Sequence, residues 1–348
     1  MNQINILVTG AGGGGIGEQV IKALRIGKNE YFIVATDVKS DSVATSLGDV
    51  FSILPISRDE TYISTLIQCC HKYGCKILIP GSEPELKKIA ENIELFNENG
   101  IYVPINPIGL LELCSNKTSF NHFLEHNGFP ICETVTISGN NLPSNLLKYP
   151  YVIKPSSGSG SKDVFVVQNQ SELVNILAYL GNSNNYILQE YIGTGEEEYT
   201  VGILCTPKTG YVKHIILKRD LSLSLSIKQS VVNNTGNTSL GDRLVISTGI
   251  SQGTFVTHPL IDIVVHKIVE FLKPISTINM QCRVHEGEVY IFEINPRFSG
   301  TTNLRAIVGF NEPEYIINEK LSIDNSELLE KDWKNQKVLR GIKEYLIK

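Results

Sequence analysis

The sequence predicts an α/β domain followed by an α+β unit, and three observations lead to this prediction. Over the first hundred residues, short apolar runs alternate with amphipathic segments, a rhythm typical of a parallel sheet covered by helices. From Ile131 onward short alternating runs dominate, which indicates antiparallel strands. The chain has 348 residues, enough for two or three domains at roughly 100–200 residues each.

The elements of the first domain follow from the spacing of its apolar residues. The predicted strands are Ile4–Thr9, Tyr31–Thr36 and Lys76–Pro80, and the predicted helices are Gly17–Gly27, Tyr62–Tyr73 and Glu83–Asn99. Gly100 suits the left-handed position that ends the last of these helices. We expect this doubly wound domain to end near residue 113.

The second half begins with a helix over Ser115–Gly128, for which Ser115 is the predicted N-cap. Predicted strands follow at Tyr151–Lys154, Val164–Val167, Tyr186–Glu190, Tyr199–Cys205, Tyr211–Leu217 and Ser226–Val232. Helices are predicted at Glu172–Leu180, Thr257–Leu272 and Glu312–Leu321, and a hairpin at Ser276–Val284 with Glu288–Asn295. The charged residues 322–348 predict a helical appendage.

Composition narrows the classes of function. Lys and Arg number 31 against 36 Asp and Glu, a net charge of −5, which disfavours charge-driven binding to nucleic acid but leaves a local basic pocket open. The seven cysteines contain no C-x-x-C pair and indicate reduced thiols rather than a disulfide framework or a zinc site. No basic leader or long apolar run suggests a membrane segment, so we expect a cytoplasmic protein.

The first strand runs into a glycine-rich turn that satisfies the Gly10-x-Gly12-x-x-Gly15 dinucleotide pattern, and Asp37 ends the second strand. This arrangement would suit NAD. Phosphate-cradling glycines also occur in folds that bind no dinucleotide, and a tight turn packed with small residues is the favoured interpretation.

Three later clusters together suggest one nucleotide site. Lys154 closes an apolar strand before a serine–glycine loop that can surround phosphates. Glu190 and Ile192 lie where another strand ends, and an acid among Glu196, Glu197 and Glu198 could hold a ribose, with Glu198 the one most inclined to point inward. Each cluster alone also fits an ordinary solvated loop.

The third cluster closes the predicted hairpin. Glu293 and Asn295 are two apart on a strand, so they share one face while Phe292 and Ile294 enter the core. Paired oxygen ligands suit Mg²⁺, and Arg297 can reach the same phosphates. A three-residue loop, Glu286-Gly287-Glu288, would place Gln281 opposite Glu293.

At these residues the sequence resembles the ATP-grasp superfamily, most closely its branch of carboxylate–amine ligases similar to the carbamoyl phosphate synthase large subunit. The resemblance spans essentially the whole chain. It implies a Rossmann-like pre-ATP-grasp domain over 1–113 and a two-lobed ATP-grasp fold with antiparallel sheets. The lobes are an N-terminal lid over 114–193 and a C-terminal lobe with the metal site over 194–321, followed by the appendage.

The resemblance also implies residue roles. Catalytic groups are Lys154, Arg219 and Arg297, with Lys213 and Lys218 as alternatives to Arg219. ATP contacts are Lys117, Lys154, Ser157, Gly158, Ser159, Gly160, Ser161, Glu190, Ile192 and Glu198. Metal ligands for Mg²⁺, with Mn²⁺ as an alternative, are Gln281, Glu293 and Asn295. The substrate cleft is lined by Gly12, Gly13, Gly81, Ser82, Glu83, Ser299 and Gly300. One departure is Gln189, where many relatives have an acid.

The implied reaction joins a small-molecule carboxylate to an amine or related nucleophile through an acyl phosphate, with release of ADP and phosphate. A kinase that stops after phosphoryl transfer, an NAD-binding oxidoreductase or nucleotide sensor, and an inactive binding protein are the alternatives. We expect neither nucleic acid nor membrane as a partner, and homo-oligomer formation stays open. The sequence identifies neither the acid nor the nucleophile.

Overall fold

The computed structural model describes residues 3–137, 149–156, 163–181, 186–222 and 224–345. Its amino-terminal part is a four-stranded parallel sheet in the order β3-β2-β1-β4. The strands are β1 Ile4–Val8, β2 Tyr31–Asp37, β3 Val50–Ile53 and β4 Ile77–Ile79. The helices are α1 Ile16–Arg25, α2 Tyr62–Lys72, α3 Glu83–Ala90 and α4 Ile93–Glu98. The predicted α/β class of this half is confirmed.

The helix predicted over Glu83–Asn99 is therefore two helices. Asn92 interrupts it, and its side-chain amide donates to the carbonyl of Lys88 at 2.9 Å. A side chain that bonds locally to the backbone competes with helix continuation. Gly100 does adopt the left-handed conformation, with φ of 69°.

Two helices, α5 Ile108–Ser115 and α6 Lys117–His126, lead into the second half. The predicted N-cap is wrong, because Ser115 ends α5 and Asn116 caps α6. The Asn116 side chain accepts from the Ser119 amide at 2.9 Å. Lys117 is thus fixed at the first position of α6. Its amide donates to the Ser156 carbonyl at 3.3 Å, which joins α6 to the lid sheet described next.

The lid is a four-stranded antiparallel sheet in the order β5-β8-β6-β7 with one covering helix. Its elements are β5 Thr134–Ile137, β6 Tyr151–Pro155, β7 Phe165–Val167, α7 Gln170–Leu180 and β8 Tyr186–Glu190. A separate apolar cluster, including Tyr151, Leu173 and Leu188, packs beneath α7. The lid consequently has its own small core.

A six-stranded antiparallel sheet in the order β15-β14-β9-β10-β13-β16 forms the centre of the second half. The strands that follow the lid along the chain, including two that are not in this sheet, are β9 Glu198–Thr206, β10 Gly210–Arg219, β11 Ile227–Val232, β12 Arg243–Ser247, β13 Gly253–Val256, β14 Ile278–His285, β15 Glu288–Asn295 and β16 Lys337–Val338. The helices are α8 Pro259–Leu272, α9 Thr302–Ile307 and α10 Glu312–Leu321. Strands β11 and β12 form a separate ribbon.

The predicted helical appendage is wrong within the described residues 322–345, which contain no helix. Strand β16 instead pairs with β13 at the edge of the central sheet, and Trp333 packs edge-on against Phe310 with 5.6 Å between ring centroids. Charged side chains in this segment lie outward, while the backbone of β16 pairs with the central sheet. Charge alone does not distinguish an exposed helix from an edge strand.

Two cores position the site. One cluster joins β1, β2 and α1 to β10, α9 and α10 through residues such as Val20, Leu217 and Phe310. The other packs one face of the central sheet against α5, α6 and α8. Buried Asn106 fastens the halves, since its amide group bonds to the backbone of Ser276 and Pro296. The edge of the parallel sheet is thereby held against the end of β15.

Candidate functional site

A row of polar side chains covers the face of the central sheet opposite its apolar core. On β14 the core face carries Met280 and Cys282, so the alternate residues Gln281 and Arg283 share the other face. The Gln281 amide donates to Glu293 Oε2 at 3.0 Å. The predicted pairing of Gln281 with Glu293 is confirmed by the strand register.

The route to that pairing differs from the predicted one. The hairpin loop is the two-residue Glu286-Gly287 turn, with positive φ at both positions, rather than a three-residue loop. A bulge next to Ile291 adds one residue to β15 and restores the register. Because the bulge reverses the facing of side chains, Phe292 stays half-buried outside the core, contrary to prediction, while Ile294 is buried.

The carboxyl end of β15 meets the parallel sheet. Arg297 donates to Asn295 Oδ1 at 2.9 Å and to Glu83 Oε1 at 2.5 Å. Glu83 is the first residue of α3, and the preceding Ser82 donates to Glu85 at 2.6 Å. Three of the predicted site residues, from opposite halves of the chain, therefore contact one another.

Both predicted lysines lie near this row. Lys154 is buried on β6, and its Nζ donates to Gln189 Oε1 at 2.7 Å. Burial, with a smaller contribution from the positive charge of Lys117, lowers the pKa of Lys154 to about 8. Burial also lowers the pKa of Lys117, an effect that the charges of Glu293 and Glu83 partly offset. The two ammonium groups thus occupy a poorly solvated region beside Glu293.

The strand end at β8 is held by an arginine that the sequence does not single out. Arg283 donates to the carbonyl of Ile192 at 3.0 Å and to that of Val245 at 2.9 Å. Its guanidinium also stacks on Tyr191, 4.6 Å from the ring centroid. The backbone that follows Glu190 is therefore fixed from the central sheet.

Glu198 is fully buried between two arginines. It accepts from Arg219 Nη1 at 2.8 Å and from Arg283 Nη2 at 2.9 Å. Burial alone would raise the pKa of Glu198, but the charges of Arg283 and Arg219 outweigh it and hold the pKa below its usual range. Both carboxylate oxygens serve these ion pairs. Glu198 as the ribose ligand stays a prediction.

The alternatives to Glu198 and Arg219 lie elsewhere. Glu197 pairs with Lys218 at 2.6 Å in a partly exposed position. Lys213 donates to the Leu329 carbonyl at 2.6 Å, away from the polar row. Arg219 remains the basic residue of β10 that reaches this row, and its buried Nε has no hydrogen-bond partner within the described ranges. That atom is a donor available to a bound anion.

The amino-terminal glycine turn is closed by side chains of its own domain. Asp37 accepts from the Gly12 amide at 2.9 Å and from Ser42 at 3.0 Å. A Cβ at Gly12 would lie 2.4 Å from that carboxylate, so the close approach requires glycine. Glu18 accepts from the Gly14 amide at 2.8 Å and occupies the start of α1. The groups that would bind ribose and pyrophosphate in NAD are already engaged.

The remaining predicted cleft residues divide between packing and the site. The Gly81 amide donates to the Thr9 hydroxyl at 3.1 Å, and the Ser299 hydroxyl pairs with that of Thr301 at 2.7 Å. The Gly300 carbonyl accepts from Arg340, a contact outside every predicted motif. Gly13 is exposed on the turn. The predicted glycine-rich loop Ser157, Gly158, Ser159, Gly160 and Ser161 lies outside the described residues.

Gln281, Glu293 and Asn295 present amide and carboxylate oxygens, the donor type that Mg²⁺ accepts. Within the parts of the chain that the structure describes, no group of three or more His, Cys, Asp or Glu side chains could hold a metal ion. Those same parts include no helix with the length and apolar composition that a membrane span needs.

Family models match both halves of the chain. Residues 6–104 match a PylC-like N-terminal domain, and residues 114–301, more than half of the chain, match an ATP-grasp domain. The chain belongs to the ATP-grasp family. All of the predicted ATP contacts and metal ligands of this ATP-grasp chain fall inside the second match.

Individual relatives are more distant. Formate-dependent phosphoribosylglycinamide formyltransferase of Prochlorococcus marinus (strain NATL1A) is 28% identical over 192 residues, 52% of this chain and 46% of that protein. The mitochondrial arginine-specific carbamoyl phosphate synthase large chain of Schizosaccharomyces pombe is 25% identical over 211 residues, 56% of this chain and 18% of that protein. The chain thus matches less than half the length of these curated relatives.

Solved structures share the fold across nearly the whole chain. L-amino acid ligase from Bacillus licheniformis superposes with a TM-score of 0.65 at 16% identity, over 95% of this chain and 77% of that one. The ADP complex of N5-carboxyaminoimidazole ribonucleotide synthetase gives a TM-score of 0.65 at 18% identity, over 95% and 79%. At such identities the likeness establishes the two-part ATP-grasp architecture alone.

Proposed function

We propose that this ATP-grasp protein is an ATP-dependent ligase that joins a carboxylate to an amine or related nucleophile through an acyl phosphate. The observation that carries the proposal is the Gln281–Glu293 pair beside Asn295, on a sheet face that buried Lys154 and half-buried Lys117 approach. Relatives and structural neighbours whose names denote amino acid ligases and nucleotide-precursor synthetases support it. We also retain the domain division at residues 113, 193 and 321 as part of this proposal.

The proposed reaction has two steps, formation of the acyl phosphate and its reaction with the amine. A carboxylate oxygen of the substrate attacks the γ-phosphorus, and the bond from that phosphorus to the β–γ bridging oxygen breaks to release ADP. The amine nitrogen then attacks the acyl carbon, loses a proton and displaces phosphate. Such phosphoryl transfer depends mainly on positioning and charge neutralisation.

We assign the charge neutralisation to named side chains. Lys117 and Lys154 hold triphosphate oxygens, the buried and unpartnered Nε of Arg219 donates to a phosphate oxygen, and Arg297 binds the transferred group. Glu293, Asn295 and Gln281 would hold Mg²⁺ or Mn²⁺, which would supply positive charge that neutralises the phosphates. The main chain at Glu190 and Ile192 receives adenine, and residues 157–161 cover the phosphates.

The proposal is tested by measuring ADP release from Mg-ATP with a panel of carboxylates, with and without amines. We expect release to depend on a carboxylate, hydroxylamine to trap its acyl phosphate as a hydroxamate, and an amine to yield an amide. A phosphorylated product that no amine consumes would indicate a kinase instead. Mg-ADP should raise the melting temperature and NAD should not, because a ligand stabilises the fold that binds it.

A further inference from the structure

A cavity of about 630 Å³ opens beside the end of β15 that carries the predicted metal ligands, and it extends beyond the predicted site residues. It lies between α3, the junction of α5 with α6, and the segment from Phe292 to Arg297. Cavities of roughly 300–1,000 Å³ are typical of small-molecule sites. The space is therefore large enough for a substrate group rather than for a few waters.

The walls of this cavity are apolar because it lies where two cores meet without closing. Leu86 and Leu111 belong to the core of the parallel domain, whereas Cys114, Phe120 and Ile294 belong to the core beneath the central sheet. All five are buried side chains. An apolar ligand group placed here would complete both cores.

The bulge in β15 adds a further apolar surface. It leaves the ring of Phe292 half-buried on the cavity wall, directly before Glu293. A regular strand would have turned this ring into the core. The same irregularity thus positions the metal ligand and the apolar wall together.

Charged side chains line the cavity in more than one place: Lys117 and Arg297 are the cations beside the predicted metal ligands, and besides Glu83 and Glu293 the other charged lining residues are Arg58, Lys87, Lys88, Glu91 and Glu112. Lys117, Glu83, Glu293, Asn295 and Arg297 all line it, and Arg297 bonds both Glu83 and Asn295. The two cations can receive an anionic group, and the predicted metal ligands lie beside them. A ligand with one carboxylate and an apolar chain matches this polarity.

We propose that the cavity binds the apolar chain of the carboxylate substrate, with its carboxylate between Lys117 and Arg297. This inference rests on the proposed ligase function and names the class of acid: a carboxylate with an alkyl or aryl group. The chain enters between α3 and α5, and the reacting oxygen faces the triphosphate. Polar acids of the same size leave the apolar walls without partners.

The test measures kcat/KM for ADP release by the full chain with acids of increasing chain length. Two series serve as probes: acetate to octanoate, and alanine to leucine and phenylalanine. Each buried methylene is expected to raise kcat/KM about fourfold, which is about 0.8 kcal/mol converted at 298 K, until the cavity is full. The kcat/KM for leucine should exceed that for asparagine, whose side chain has nearly the same size.

A matched pair of substitutions locates the effect. Ser115 is exposed and lines the cavity, so Ser115→Phe should raise the KM for the longest acid that the unmodified protein accepts at least tenfold and spare the shortest one. Ser119 is equally exposed on the first turn of α6, outside the lining, and Ser119→Phe should change neither.

The possible failures are distinct. ADP release that depends on a carboxylate but not on its chain length, or that favours asparagine over leucine, overturns the inference and leaves the ligase proposal intact. Chain-length dependence that Ser115→Phe does not alter also overturns it, because the chain is then bound elsewhere. Absence of ADP release with every acid, together with no stabilisation by Mg-ADP, removes the ligase proposal and this inference with it.

Discussion

Replacing Gln189 by glutamate tests how the chain controls the charge of a buried phosphate-binding lysine. Lys154 donates to the neutral Gln189 amide at 2.7 Å, and burial lowers its pKa from 10.5 to about 8. That difference amounts to about 3 kcal/mol against the charged form. A carboxylate at the position of the amide would oppose this penalty, and an opposite charge at such a distance raises a lysine pKa by roughly 1–3 units.

The expected consequence is a change in the pH dependence of ATP binding. The charged fraction of Lys154 falls as the pH rises through about 8, so ATP affinity should fall between pH 7.5 and 9.5. A charge-assisted hydrogen bond contributes about 1.5–3 kcal/mol, so its loss weakens binding roughly 10- to 100-fold. In Gln189→Glu the pKa of the lysine should rise by roughly 1–3 units, so the fall in affinity should move to higher pH by the same amount and be smaller over this range.

Isothermal titration calorimetry with ATP at several pH values measures the pH dependence of the ATP affinity directly. Titrations in two buffers of different ionisation enthalpy count the protons taken up on binding near pH 9. The count should be nearly one for the unmodified protein and at most about one half for Gln189→Glu. Lys154→Met is the control: any pH dependence that it keeps belongs to Lys117, whose pKa burial also lowers. Identical pH profiles for the unmodified protein and Gln189→Glu would refute the reasoning.

The remaining predictions concern the metal site, the hinge and the glycine turn. Glu293→Gln should raise the Mg²⁺ concentration needed for ADP release more than tenfold, because the metal loses a charged ligand. Glu288→Gln, at an exposed position on the same strand, should leave that concentration unchanged. Equal Mg²⁺ titrations for the two variants would place the metal elsewhere. Arg283→Lys should raise the KM for ATP at least fivefold with a smaller change in kcat. The single lysine nitrogen cannot replace the four hydrogen bonds that three guanidinium nitrogens make to Ile192, Val245 and Glu198. An unchanged KM would mean that the hinge backbone is fixed without Arg283. Asp37→Asn should lower the free energy of unfolding in urea by about 1 kcal/mol and leave the KM for ATP unchanged. A large rise in that KM would instead indicate that the amino-terminal turn is the nucleotide site.

The pairing at the metal site shows how far sequence patterns reach. Glu293 and Asn295 could be placed on one face because strand periodicity is strict, and Gln281 could be placed opposite Glu293 by assuming a hairpin loop with an odd number of residues. The turn and the bulge could not be predicted from the same pattern. Two compensating one-residue changes leave the final register unaltered, so a correct pairing does not identify the loop that produces it.

Residues that act through the backbone were harder to find. Arg283 lies in no motif, and its role comes from carbonyls of Ile192 and Val245 that are distant in sequence. Its one available signal was a charged residue on the same face of β14 as Gln281. The prediction of a helix in the charged carboxyl-terminal segment was wrong for a related reason. An edge strand such as β16 is defined by the strand that it pairs with and not by its own composition.

Charge balance explains why this buried row suits a nucleotide. Lys117, Lys154, Arg219 and Arg283 approach it, while Glu198 and Glu293 are the acids among them, so positive charge is in excess where water is scarce. Burial disfavours the charged form of both lysines and lowers both pKa values, and at Lys154 the positive charge of Lys117 adds to this effect. An anionic triphosphate supplies the missing charge and returns those lysines to their charged form. The repulsion that weakens the site without a ligand therefore becomes part of the free energy with which the site binds ATP.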